Sequence, residues 1–207
     1  MPGMNFPYIL EAALMAVVLL FSIIVHEVAH GYVALLNGDP TARMLGRITL
    51  NPIPHIDPVG TILMPLLLYL SGFPVVGMAK PVPVNPLNFR NYRWGEFAVS
   101  AAGPVSNLAL AVVFSGLLRL GIDNPGFVTL AILGVRINII LALFNLIPIP
   151  PLDGSHILAL LLPRDLARLY SHLQPVGFIL ILILFYIGIL GAIIMPLYRQ
   201  IALLMLG

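Results

Sequence analysis

Long apolar runs, separated by short polar and proline-rich stretches, dominate this chain. One helix is expected over Tyr8–Asn37, apolar throughout from Ala12 to Val25, and two more over Gly95–Leu120 and Phe127–Ile147. A last apolar run covers Pro175–Leu197. A helix needs about 20 residues to cross a hydrocarbon layer ~30 Å thick, and each run is long enough. The pattern predicts an all-α polytopic membrane protein with about four full transmembrane helices.

Three shorter segments interrupt this pattern. Val59–Gly72 is apolar but too short for a comfortable span and contains Pro65, which favours a re-entrant segment over a full crossing. Phe73–Pro86 is rich in Pro and Val, and we expect a small membrane-associated β-hairpin there, although a plain loop would also accommodate the prolines. Leu152–Leu162 predicts a short apolar helix after a proline cluster.

Composition agrees with a membrane protein and excludes several other classes. Of the 207 residues, 60% are apolar and only 9% are charged, whereas a soluble domain carries about 25% charged residues. The net charge of +2 comes from scattered residues, so nucleic acid is not an expected partner. There is no cysteine, hence no disulfide and no thiolate metal ligand. We expect a single domain over residues 1–207.

The positive residues predict an orientation in the membrane. If 59–72 returns to the side it came from, seven of them share one side, and the positive-inside rule makes that side cytoplasmic. If 59–72 crosses fully, the bias weakens. The seven are Arg43, Arg47, Lys80, Arg90, Arg93, Arg164 and Arg168; Arg119 and Arg199 fall on the other side, and Arg136 lies inside the third span. The expected location is the plasma membrane.

The far end of the first helix carries a metal-binding pattern, His26-Glu27-Val28-Ala29-His30. Residues four apart lie on one face of a helix, so both imidazoles can bind one metal ion with Glu27 beside them as a base. A buried His is ordinarily a hydrogen-bonded core residue. Two His and a Glu at membrane depth are costly, however, and such residues are usually functional.

Zinc requires at least one more protein ligand, and Asp153 is the best candidate. It follows the proline-rich stretch 148–151 and lies between two apolar helices. Taken alone, it could equally be the cap of the helix that begins near Gly154.

Three motifs in this order resemble the site-2 protease family of intramembrane zinc metalloproteases: HEVAH at 26–30, SAAGPVSN at 100–107 and FNLIPIPPLDG at 144–154. The resemblance covers most of a catalytic core over residues 8–160, with 175–197 as a further C-terminal transmembrane helix. It implies one zinc ion per chain held by His26, His30 and Asp153, with Glu27 as general base. The active site is expected towards the cytoplasm.

The same resemblance implies an intramembrane endopeptidase whose partners are transmembrane protein substrates and the lipid bilayer. An extended hairpin between the first two motifs, typical of the family, suits Phe73–Pro86, and a substrate strand is expected to pair with Val75–Val84. The chain has no insertion long enough for a PDZ module, so it resembles the compact form. The oligomeric state is left open.

Four further polar residues are candidates for the site. Asn145 is expected to hold an oxyanion or a substrate strand, or else to satisfy nearby carbonyls. Asn107 is a second candidate for substrate, although it and its neighbours favour close helix packing. His55 is either a neighbour of the site or, as we favour, a loop residue bonded to Asp57. His156 lies three residues after Asp153 and is a candidate partner of that ligand.

Two other functions remain open from the residues alone. A metal-ion transporter also places His and acidic residues in membrane helices, although such proteins commonly carry repeated halves, and no repeat is visible. A family member that has lost catalysis would act as a binding protein.

Overall fold

The computed structural model describes residues 6–57, 60, 63, 67, 70 and 80–207. Within these ranges the chain forms eight α-helices: α1 (Phe6–Leu36), α2 (Thr41–Met44), α3 (Tyr92–Leu118), α4 (Pro125–Asn145), α5 (Asp153–Leu161), α6 (Arg164–Ser171), α7 (Gly177–Tyr186) and α8 (Ile189–Leu206). Four of them, α1, α3, α4 and α8, are long and apolar enough to cross a membrane. The prediction of about four spans is confirmed.

Most of the expected re-entrant segment and most of the expected hairpin lie outside the described residues. The described part of the hairpin range, 80–86, contains no strand. The two flanks of the segment nevertheless meet, because the Lys80 amide donates to the carbonyl oxygen of His55 at 2.9 Å and the Arg47 guanidinium donates to the carbonyl oxygen of Lys80 at 2.7 Å. Lys80 therefore lies beside Arg47.

The central helix of the bundle is α3, which packs against α1, α4 and α5. It begins where the Asn91 side chain accepts from the Trp94 amide, as α4 begins where Asn124 accepts from Phe127. Gly134 of α4 lies against the Phe114 ring so closely that a Cβ would overlap it. This contact brings α3 and α4 together at a small residue, as is common between membrane helices.

The C-terminal region differs from the prediction of one span over Pro175–Leu197. The apolar run breaks at Gly188, whose φ of 81° lies in the left-handed region, which glycine adopts without steric cost. The short helix α7 precedes the break, and the full-length helix α8 follows it and continues to Leu206. Apolarity continues across the break, so hydropathy alone places the span too early.

Helix α8 packs antiparallel to α4. Near its start, Leu190 packs in one apolar cluster with Ile147, and further along Ala202 packs with Ile139 in another. Because the span is displaced, Arg199 lies inside α8, where it is exposed. The expectation that Arg199 lies beyond the end of a span is therefore wrong.

Candidate metal centre

Three side chains from two helices meet at one point. His26 and His30 lie one turn apart on α1 and are 7% and 9% exposed, and their Nε2 atoms are 3.0 Å apart. Asp153, in the first turn of α5, brings one carboxylate oxygen to 3.2 Å from His26 Nε2 and the other to 3.4 Å from His30 Nε2. This group has the composition and spacing to hold a metal ion.

The second nitrogen of each imidazole fixes which nitrogen faces this point. His30 Nδ1–H donates to the carbonyl oxygen of Val99 at 2.7 Å, and His26 Nδ1–H donates to the Asn107 side-chain oxygen at 2.7 Å. In a neutral imidazole the other nitrogen then carries a lone pair. Both Nε2 atoms therefore present lone pairs, as metal ligands must.

A buried polar network sets the orientation of Asn107. Its amide nitrogen donates to the Asn138 oxygen at 2.9 Å and to the Ser22 carbonyl at 3.3 Å, which leaves its own oxygen to face His26. Asn138 donates in turn to the Ser22 hydroxyl at 2.8 Å and to the carbonyl of Gly134 at 2.8 Å. Asn107 and Asn138 are both 0% exposed. Three helices thus cooperate to orient one imidazole.

The arrangement fits a zinc ion. Two lone pairs and a carboxylate facing one another at 3.0 to 3.4 Å repel unless a cation lies between them, and tetrahedral zinc with bonds of 2.0–2.1 Å sets its ligand atoms roughly 3.3 Å apart. The Asp153 Oδ2 atom is buried and makes no hydrogen bond with the described residues. Gly103 borders the same space, where a Cβ would collide with both Nε2 atoms.

Asp153 is held in the ionised form that a metal ligand requires. Burial raises the pKa of its carboxyl group, but in the metal-free group a proton on the facing imidazoles of His26 and His30 outweighs burial and holds the pKa at about 2. A cation between the three ligands would favour the carboxylate in the same way. The side chain is 18% exposed. A carboxylate is therefore present throughout the physiological pH range.

The chain delivers Asp153 through a tight turn after α4. Gly154 packs against the carbonyls of Leu146 and Ile147, which leave no room for a Cβ. At the other end of α5, the Arg93 guanidinium donates to the Leu160 carbonyl at 2.8 Å. Both contacts fix α5 against its neighbours, so the position of Asp153 depends on more than its own bonds.

Glu27 lies between the two histidines in sequence and is half-buried. Its Oε2 atom accepts a hydrogen bond from the Val82 amide at 2.7 Å. The other carboxylate oxygen makes no hydrogen bond with the residues that the structure describes. Glu27 therefore has one oxygen fixed and one available.

The structure brings some of the other candidates to the site and not others. Asn107 is fully buried and accepts a hydrogen bond from His26. Asn145 is half-buried and donates one N–H to the Leu141 carbonyl at 2.9 Å. His156 bonds to Glu96 at 3.0 Å rather than to Asp153, and the Glu96 carboxylate raises the pKa of His156.

The favoured interpretation of His55 as a partner of Asp57 is wrong. Its Nε2 atom bonds to the Thr49 carbonyl at 2.9 Å, and within the described part of the chain its Nδ1 atom has no hydrogen bond. His55 is buried, and its own carbonyl accepts from Lys80. It supports the segment beside Glu27 without contacting the metal-binding group.

Sequence reasoning missed Val99, Asn138 and Val82 as partners of the site. Val99 acts through its carbonyl, which carries no side-chain signature. Asn138 was visible as a polar residue inside an apolar span, and such residues find partners within the bundle. For Val82 the sequence offered a weaker indication: it is a valine between two prolines, so its amide is the one N–H in that tripeptide.

Comparison with known proteins places this centre in a family. The family model for peptidase family M50 matches residues 14–122 and 121–185. The chain belongs to peptidase family M50. This is the site-2 protease family expected from the three motifs, so that prediction is confirmed, and the chain has the family's compact form.

Curated members of M50 resemble the chain over most of its length. "Putative zinc metalloprotease YwhC" of Bacillus subtilis is 40% identical over 180 residues, which cover 83% of this chain and 79% of YwhC. "Putative zinc metalloprotease Rip2" of Mycolicibacterium smegmatis is 31% identical over 169 residues, which cover 80% of this chain and 63% of Rip2. No solved structure matches the chain. The protein is thus a member of a zinc metalloprotease family with several membrane-spanning helices.

Proposed function

We propose that this protein is an intramembrane zinc endopeptidase that hydrolyses peptide bonds within or near transmembrane segments of other membrane proteins. One observation carries the proposal. The Nε2 atoms of His26 and His30 and the carboxylate of Asp153 converge on one point. Both histidines and Glu27 lie on α1, which is long and apolar enough to span the membrane. Buried, metal-compatible groups at that depth are expected to serve chemistry.

In this proposal His26, His30 and Asp153 hold one zinc ion per chain. Their state supports it, since both imidazoles present Nε2 lone pairs and the carboxylate is ionised. The zinc ion would supply a Lewis acid that polarises the scissile carbonyl and acidifies a water molecule. The tautomers fixed by Asn107 and Val99 remove the need to reorganise the ligands on binding.

Glu27 acts as the general base. Its free carboxylate oxygen takes a proton from the attacking water and then delivers that proton to the nitrogen of the departing amine. The proton balance closes on one residue, because the carboxylate ends as it began. The hydrogen bond from the Val82 amide leaves that second oxygen available.

Asn145 is the candidate for binding the substrate backbone or the developing oxyanion. Among the described residues its amide makes one hydrogen bond, to the Leu141 carbonyl, and the side chain is half-buried at the end of α4. A second N–H and the side-chain oxygen remain for an extended peptide. It lies eight residues before Asp153, at the end of α4, where the turn that leads to this metal ligand begins.

The active site faces the cytoplasm in this proposal, and the protein lies in the plasma membrane. Support comes from contacts at one end of the bundle, where the Arg90 amide donates to the Asn37 carbonyl at 2.9 Å and Arg93 bonds to Leu160. These contacts gather the ends of α1 and α5 and the start of α3, where the positive residues lie. The positive-inside rule assigns that end to the cytoplasm.

The substrate is a transmembrane helix that unwinds locally, because a helical peptide bond is shielded by its own turn. Hydrolysis also requires water at membrane depth, and irregular backbone that lines a cavity can supply a path. The turn at 146–152, which separates α4 from α5, is irregular backbone of this kind. It borders Asp153 directly.

The test uses the full chain purified in detergent, with its zinc content measured and a membrane-spanning reporter as substrate. We expect about one zinc ion per chain, cleavage by the wild type and loss of cleavage in Glu27→Gln with zinc retained. Glu11→Gln is the matched control, because Glu11 lies on the same helix and is exposed. Bound zinc with no cleavage by the wild type would contradict the proposal, as would zinc transport that Glu27→Gln does not affect.

A further inference from the structure

An extended segment, Lys80–Asn85, lies against the base. The Val82 amide donates to Glu27 Oε2 at 2.7 Å, which is the one hydrogen bond to that carboxylate within the part of the chain that the structure describes. Val82 is 7% exposed, so the bond is shielded from water. A shielded bond to a charged acceptor is stronger than one at the surface.

The local sequence makes this amide unique in its segment. Val82 lies between Pro81 and Pro83, and proline has no N–H to donate. Each proline also restricts the residue before it to extended backbone, so Lys80 and Val82 are held straight. Pro81-Val82-Pro83 therefore presents a single N–H, on a stiff stretch of chain.

The side chain of Val82 reaches α1 because of a glycine. Gly31 lies one turn after Glu27, and a Cβ on it would come 2.9 Å from the Val82 Cγ1 atom, closer than side chains pack. The absent side chain lets the segment lie directly on the helix. The amide thereby comes within hydrogen-bond distance of Glu27.

Two buried charges hold the segment from its other side. The Arg47 guanidinium donates to the carbonyls of Lys80 and Pro81 at 2.7 and 3.3 Å, and the Asp39 carboxylate accepts from the Asn85 amide at 2.7 Å. Arg47 is 7% exposed and Asp39 is fully buried. Burying a charge is costly unless it is bonded. Two buried charged side chains thus bond to the backbone of this extended segment and hold it in place.

We propose that Val82 is a positioning residue for Glu27. Its amide fixes one carboxylate oxygen, so that the other is held towards the space shared by His26, His30 and Asp153. Arg47 and Asp39 position Glu27 indirectly, because they hold the segment that carries the Val82 amide. A glutamate otherwise samples several rotamers, and small displacements of a catalytic group cost large factors in rate. This inference rests on the proposed protease function.

The experiment replaces the Val82 amide with an ester, by incorporating the α-hydroxy analogue of valine in the full chain. The change removes the N–H and keeps the side chain. The control is the corresponding ester at Leu50, an exposed residue outside the expected substrate-pairing segment, whose amide makes no hydrogen bond with the described residues. For the ester at position 82 we expect kcat to fall about ten- to a hundred-fold. KM should stay within about two-fold, because ground-state binding is untouched.

Zinc content and melting temperature are measured on every variant. Arg47→Gln is a second variant, since it releases the carbonyls of Lys80 and Pro81 without touching the amide, and we expect the same selective loss of kcat. If esters at 82 and 50 have equal kcat, the inference is overturned. It is also overturned if activity falls only in step with bound zinc, with kcat per zinc-loaded chain unchanged, because that result indicates a purely structural role.

Failure of this inference is distinguishable from failure of the proposed function. A wild type that cleaves, with a Glu27→Gln variant that does not, upholds the protease whatever the ester shows. A wild type that binds zinc and cleaves nothing overturns the protease itself.

Discussion

Gly103 of α3 lies directly against the imidazole of His26, so that a Cβ on it would collide with the Nε2 atom that faces Asp153. The same Cβ would collide with Nε2 of His30. The smallest residue therefore stands where any side chain would enter the space between the three ligands. This close approach explains why position 103, in the middle of a membrane-spanning helix, is a glycine.

We expect Gly103→Ala to lower zinc affinity by at least about a hundred-fold, because the added methyl group displaces two ligand atoms at once. Zinc titration of the purified protein measures the change. Gly116→Ala is the control, since it lies on the same helix and its Cβ would meet open space. Equal zinc affinity in the two variants would contradict the assignment of the site.

The network behind His26 predicts an effect at a distance. Asn138→Ala removes the acceptor for the Asn107 amide, so the imidazole of His26 loses its fixed orientation. We expect zinc affinity to fall about ten- to a hundred-fold, as for other partners of metal ligands. Asn145→Ala serves as the comparison for zinc binding alone, because its recorded bond is to Leu141 within its own helix. A zinc affinity unchanged in Asn138→Ala would show that the network does not support the ligand.

Removing the metal should destabilise the protein. A ligand that binds only the folded state stabilises it, so we expect a chelator to lower the melting temperature of the wild type. In Asp153→Ala, which has lost a ligand, the same chelator should have little effect. Thermal unfolding in detergent, with and without chelator, provides the comparison. A chelator effect of equal size in both proteins would indicate that the stabilising metal lies elsewhere.

The ion pair of His156 with Glu96 predicts a pH dependence of stability. The pKa of His156 is raised in the folded state, so the pair stabilises the protein fully below the unfolded pKa of about 6.5. Its contribution is lost as pH rises through the raised folded value. His156 is 44% exposed, and solvent screening keeps the contribution below about 1 kcal/mol.

The measurement compares the melting temperatures of the wild type and His156→Ala at pH 5.5 and pH 8.5, roughly a unit or more on either side of the transition. The wild type should be the more stable of the two at the lower pH, with the difference shrinking at the higher pH. His172→Ala, at an exposed histidine after α6, is the comparison variant for removal of a histidine side chain. A difference that grows with pH would contradict the assigned pair.

Much of the fold and the centre of the site follow from local sequence. Apolar length sets α1, α3 and α4 to within a few residues. His26 and His30 are adjacent on one helix, so their convergence needs only helical geometry. Asp153 is different, because nothing local brings it to α1 across more than a hundred residues, and its proposed role came from a resemblance.

Other features depend on contacts that no local pattern encodes. Val82 acts through its backbone amide, and Arg47 bonds to the backbone carbonyls of Lys80 and Pro81. Hydropathy does not report on backbone amides or carbonyls. The break at Gly188 is hidden because α7 and α8 are both apolar, and only a left-handed backbone separates them. The positions of Asn107 and Asn138 could be suspected as polar groups in apolar helices, but not which partner each would take.

The two imidazoles are held by unlike means. Val99 holds His30 through a main-chain oxygen that every amino acid carries, whereas His26 depends on an amide side chain and the network behind it. Side-chain substitutions can therefore alter the hydrogen bond that orients His26, whereas the hydrogen bond from His30 to the backbone carbonyl is retained. Substitutions in the network behind His26 can therefore change the affinity for the metal while the three residues that bind it stay the same.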